Sequence, residues 1–72
     1  MTNNDILKKL RVALELRDVD IIEILSLVDF EITKSQLSAI FRKEGSKNYK
    51  ECDDRILRRF LNGLIVRNRG KR

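Results

Sequence analysis

The stretch "EITKSQLSAIFRKEG", Glu31 to Gly45, decides the fold. Thr33 followed three residues later by Gln36 is a capping box, in which each side chain satisfies a backbone N–H left free at a helix start. Ile32 and Leu37 stand at the two positions of a hydrophobic staple. Leu37, Ile40 and Phe41 then recur at three- and four-residue intervals and turn one edge inward. Lys34, Ser35, Ser38 and Arg42 fall together on the opposite side. The spacing predicts a short helix that ends by about Lys43, before Gly45 and the loop "GSKNYKE".

The same period extends in both directions from this segment. Upstream, Ile6, Leu7, Leu10, Ala13 and Leu14 form one apolar stripe, with Lys8, Lys9, Arg11 and Glu15 outward. Thr2 with Asp5, or Asn3 or Asn4 alone, can cap its start. "RDVDIIEILSL" follows, with Asp20 and Glu23 as a capping pair, Val19 and Ile24 as a staple, and Asp18 as a competing cap. Its isoleucines and leucines encircle much of the helix, which makes it the element expected to be most buried. Downstream, a fourth helix opens at Asp53 with Cys52 and Leu57 at staple positions. Ile56, Leu57, Phe60, Leu61, Leu64 and Ile65 face inward, while Arg55, Arg58, Arg59 and Asn62 face outward. Proline is absent and no β-period appears. The fold expected is all-α: a compact bundle of four short helices, or five with one extra turn, and a helix-turn-helix-like middle. Residues 1–66 form the single helical domain and 67–72, a basic Gly-punctuated segment, a flexible tail.

Seventy-two residues sit near the lower limit for a domain that folds without staples. The single cysteine excludes an internal disulfide; with no histidine, a zinc site would have to be built from one thiolate and carboxylates, an improbable ligand set, and the usual histidine general base is missing. The three glycines are isolated, so no phosphate-cradling loop is present. These absences argue against an enzyme and against any cofactor or metal. Cys52 reads as a small apolar packing residue. No apolar run is long enough to span a membrane, and "MTNNDILKK" is not a secretory signal, which leaves the cytoplasm as the expected location.

Net charge hides an asymmetry. Residues 1–33 carry four Lys/Arg and seven Asp/Glu, a balance of −3, whereas residues 34–72 carry twelve and four, a balance of +8. A field of that sign attracts polyanions, unless the two halves neutralise one another in the fold.

The chain resembles the YehS-like bacterial family of uncharacterised proteins. The resemblance is carried by "NNDILKKLRVAL" (Asn3 to Leu14), "RKE" (Arg42 to Glu44), "KNYKECDD" (Lys47 to Asp54) and "FLNGLI" (Phe60 to Ile65), in that order across nearly the full length. Members of that family usually hold two tandem copies of this unit, and this chain holds one. The resemblance implies a helical domain and supplies no activity or site residues.

Two functions fit these features. One is a protein-interaction module, binding an unknown protein or itself. Oppositely charged halves would favour head-to-tail stacking, and Tyr49 is a candidate anchor. The other is DNA or RNA binding. There Lys34, Ser35, Ser38, Arg42 and Lys43 of the third segment would face the groove, with Arg55, Arg58 and Arg59 adding phosphate contacts. Gln36 could also read a base edge, although its capping role competes.

Overall fold

The computed structural model describes residues 1–70, and every element in it is helical: α1 (Asn3–Ala13), α2 (Asp18–Ser26), α3 (Lys34–Ile40) and α4 (Asp54–Gly70). Three starts follow the local signals. At α1 the Thr2 hydroxyl accepts from the Asp5 N–H while the Asp5 carboxylate accepts from the Thr2 N–H, each at 3.1 Å. That backbone hydrogen bond, foremost, holds the Asp5 carboxyl below its usual range. At α3 the Thr33–Gln36 box is complete, and the staple residues Ile32 and Leu37 are both buried. At α4 Asp53 caps by accepting the Ile56 N–H at 2.9 Å, with Cys52 buried behind it.

The start of α2 differs from the expected pairing. Asp20 is the third residue of the helix, where its carboxylate accepts the Arg17 N–H at 2.8 Å. The Arg17 guanidinium also donates to it at 3.2 Å, and these bonds hold the Asp20 carboxyl below its usual range. Leu16 and Ile21, both buried, occupy the staple positions, while Val19 is exposed. The helix starts earlier because the carboxylate of its third residue reaches back to the N–H of the cap residue Arg17, the half of a capping box that the third helical residue supplies.

Helices α1 and α2 both end in a left-handed residue that is not glycine. Glu15 (φ 53°) and Asp29 (φ 58°) take the bend. After α1 the Leu16 N–H returns to Arg11 O and the Glu15 N–H to Val12 O; after α2 Phe30 returns to Leu25 and Asp29 to Ser26 in the same pattern. This pair of hydrogen bonds closes a helix end by satisfying its last carbonyls. It explains how "LVDFEIT" turns the chain without a glycine.

The core is one cluster built from Leu7, Leu16, Ile21, Ile24, Leu25, Ile32, Leu37, Ile40, Cys52, Ile56 and Phe60. Helices α2 and α4 pack directly on one another: Arg59 reaches the Val28 carbonyl just past α2 at 3.2 Å, and Gly63, one turn further along α4, abuts Ile24. A Cβ on Gly63 would overlap the Ile24 carbonyl oxygen and lie 2.7 Å from its Cγ2. Gly63 is therefore where the two backbones cross.

A second long-range link is polar. Asn4, 2% exposed, donates from Nδ2 to Ile40 O and to Lys50 O, each at 2.9 Å, and accepts the Cys52 N–H at 2.8 Å. One amide thus ties the start of α1 to the end of α3 and to the strap leading into α4. At the other end of α1, Arg11 stacks over the Phe41 ring at 5.0 Å and pairs with Asp18 at 3.5 Å.

Several expected core positions lie outside. Ala13 and Leu14 of the first stripe are exposed, as are Leu61 and Ile65 of the fourth. The buried line of α4 instead passes through Ile56, Phe60 and Gly63, with Leu57 and Leu64 half-buried beside it. Only a narrow strip of α4 can touch α2 when they cross at a glycine. Leu57→Ala should accordingly cost about 2 kcal/mol and Ile65→Ala about 0.5 kcal/mol or less in chemical denaturation. Equal losses would place the core on the other edge of α4.

No fifth helix occurs among the described residues, and α4 continues to Gly70, beyond the boundary expected at residue 66. Nothing in "RNRG" breaks a helix outright, and Arg67 and Arg69 in the last turn favour the negative end of the helix dipole. The remainder of the expected tail, residues 71–72, lies outside the described residues.

Candidate interaction surfaces

The basic residues singled out by sequence are all exposed, but they do not form one helical face. Lys34, Ser35 and Ser38 lie on α3. That helix ends at Ile40 with Phe41 as its cap, so Arg42 and Lys43 belong to the loop beyond it and do not continue the face. The Phe41 N–H pulls back to Leu37 and Ser38, which tightens the last turn and stops the helix. Gln36 is held by its cap, accepting the Thr33 N–H at 2.9 Å.

On α4 the three arginines part company. Arg55 lies over the Phe30 ring at 5.8 Å, Arg59 is bonded to Val28, and Arg58 is exposed. Arg55 and Gln36 do share a polar cleft of about 230 Å³ with Lys50 and Asp53. The structure therefore brings the start of α3 to the start of α4, and leaves Arg42 and Lys43 elsewhere in the chain's path.

The two halves of the chain do not cancel each other pairwise. Among the described residues the ion pairs are Arg11–Asp18 and Arg17–Asp20, both within the acidic half. Among those residues no ion pair within 4.0 Å joins a basic residue beyond Thr33 to an acid.

Cys52 is 1% exposed, and burial, with Asp53 and Asp54 nearby, pushes its thiol up to about 11. A thiol in that range is almost wholly protonated at neutral pH and makes a poor nucleophile. It packs at the staple of α4. Tyr49 is half-buried in the loop before α4, and burial first, then Glu44 and Glu51, raises its hydroxyl above the usual range.

A surface that the sequence did not disclose lies between α2 and the part of α4 beyond Gly63. Two adjoining grooves of about 310 and 380 Å³ share Leu27 and Arg67. Glu23, Ile24 and Ser26 line the first, and Val66 and Gly70 the second. Leu27 and Val66 are 48% and 41% exposed, so two large apolar side chains meet water side by side. The clue available in sequence was that α2 is apolar around most of its circumference, more than one neighbour can cover. Which flank stays open depends on the crossing point.

Among the described residues, no group of three or more acidic or thiol side chains is placed to hold a metal ion, and no helix is long and apolar enough to cross a membrane.

Comparison with known proteins gives a family and no activity. A family model described as "Protein of unknown function (DUF1456)" matches residues 3–70. The uncharacterized protein YehS of Escherichia coli (strain K12) is 40% identical over 72 residues. That match covers 100% of this chain and 46% of the relative, so the chain spans about half the relative's length. No solved structure matches the chain.

Proposed function

Because the chain belongs to DUF1456, a family of proteins of unknown function, its surface has to suggest its role, and we propose that it is a protein-docking module working through the α2–α4 groove. The observation that carries this is the pairing of exposed Leu27 and Val66 along one open groove. Single exposed apolar side chains are ordinary, but contiguous ones beside a groove mark interaction sites. Burying both on a partner would remove apolar area from water at about 25 cal/mol per Å². A photo-crosslinking residue at Leu27 or Val66, compared with one at Ser35 on α3, tests the proposal in cells. Discrete adducts from the groove positions alone are expected. Equal labelling from Ser35, or none from the groove, would exclude docking there. The adduct's mass then separates a second copy from a foreign protein.

A second reading, polyanion binding, is favoured by the exposed cations of the second half that make no ion pair among the described residues. It draws on Lys34, Ser35, Ser38, Arg42, Lys43, Arg55, Arg58 and Arg59 as a dispersed phosphate-contacting surface. The helix-turn-helix version has less support, because residues 27–33 separate α2 from α3, where that motif uses a turn of about three or four residues. Labelled duplex DNA and RNA titrated at low and moderate salt test this reading. Affinity that falls steeply with salt is expected, and no binding at low salt would eliminate it.

A further inference from the structure

We infer that the occupant of the α2–α4 groove is a second copy of the same chain, docked about a two-fold axis; this rests on the docking proposal above. The argument is charge complementarity within one small surface. Glu23 and Arg67 line the same groove as Leu27, and both are exposed. They are not paired with each other within 4.0 Å, and neither makes a side-chain hydrogen bond among the described residues.

In an isologous contact, residue i of one copy meets residue j of the other, and j meets i. A groove with one acid, one base and an apolar centre meets that condition with itself. Leu27 and Val66 of each copy cover those of the other, and Glu23 of each copy faces Arg67 of the other, twice over. A foreign partner would need the matching charge order built separately. The net charge of +5 on each copy opposes association only weakly at physiological salt, where fields decay within about 8 Å. Glu23 and Arg67 would be in direct contact and escape most of that screening.

Sedimentation equilibrium on the 72-residue chain from about 10 µM to about 1 mM tests the inference, over the range in which weak self-association is measurable. The unmodified chain should dimerise with rising concentration. Glu23→Arg and Arg67→Glu should each weaken the dimer by about tenfold or more, since each sets like charges opposite one another. An equimolar mixture of the two variants should recover association, because the mixed dimer restores both opposite-charge pairs. Leu27→Glu should abolish association in either background. Circular dichroism melts confirm that each variant is folded, which their exposed positions favour.

A chain that stays monomeric throughout overturns self-docking, as does a mixture no stronger than its parts. Groove-specific adducts of foreign mass would then preserve the docking proposal with another partner. Absence of any groove adduct removes both.

Discussion

Gly63→Val should leave the chain without a cooperative thermal transition. Position 63 is inside α4, where glycine costs about 1 kcal/mol relative to alanine in helix propensity alone. Replacement would therefore stabilise an isolated helix, and the sign of the effect depends on packing. A Cβ there meets the Ile24 backbone carbonyl and lies 2.7 Å from Ile24 Cγ2. The side-chain atom could rotate away, but the carbonyl is fixed by α2 itself. Separating the helices is the remaining escape, and it unpacks Phe60 and Ile24, both at 1% exposure or less.

Gly63→Ala should lose roughly 2–3 kcal/mol net, since overpacking outweighs the propensity gain. Valine adds two methyl groups against the same atoms. Its cost should exceed the total stability of a 72-residue domain, which at ordinary values is roughly 4–11 kcal/mol. Thermal melts followed by circular dichroism decide it. A Gly63→Val melt within about 5 °C of the parent, equivalent to about 1 kcal/mol in a domain this size, would mean that α2 and α4 do not depend on close contact.

Asn4→Asp should be nearly as damaging at neutral pH and partly rescued by acid. The amide donates to two carbonyls and accepts one N–H; the bonds to Ile40 and Cys52 are buried and the one to Lys50 is partly so. A carboxylate keeps the bond from Cys52 but sets negative charge against the Ile40 and Lys50 carbonyl oxygens. Two acceptors lose their donor, at about 1–3 kcal/mol each, and a buried charge is added. We expect a loss of about 4 kcal/mol or more at pH 7.

The pH dependence has a definite sign. Burial and the two carbonyls raise the folded-state pKa of the introduced carboxyl above its unfolded value. The folded state then binds the proton more tightly, so the variant loses stability as pH rises through that interval and regains it below. Protonation restores one donor for one of the two carbonyls. The measurement is the difference in stability between variant and parent from pH 4 to pH 8. A difference that does not grow with pH would show that Asn4 is solvated in the folded chain. Asn4→Ala, with no titrating group, should lose stability without that extra slope.

These two positions show where sequence runs short. Thr33, Gln36, Ile32 and Leu37 were legible because cap and staple are made within one turn, by residues three to five apart. The Thr2–Asp5 box and the Cys52 staple were legible for the same reason. Asn4 offered only the look of another cap residue, since its partners lie 36 to 48 positions away. Gly63 looked like an interruption in a regular stripe. In the candidate surfaces, exposure of Lys34, Ser35 and Ser38 followed from periodicity, whereas the engagement of Arg59 by Val28 and of Arg55 by Phe30 depended on which loop α4 passes.

By itself the sequence determined that the chain is helical, where three of its four helices begin, which residues dominate the core, and that its second half is basic. Those properties are set by local hydrogen bonding, by a period of 3.6 residues and by charge count. The tertiary structure alone decided that α2 and α4 cross at Gly63, that Asn4 clasps three segments, and that Leu27 and Val66 remain uncovered beside Glu23 and Arg67. A helix that is apolar nearly all round can be buried in several orientations, and the backbone contact that only a glycine permits selects one of them.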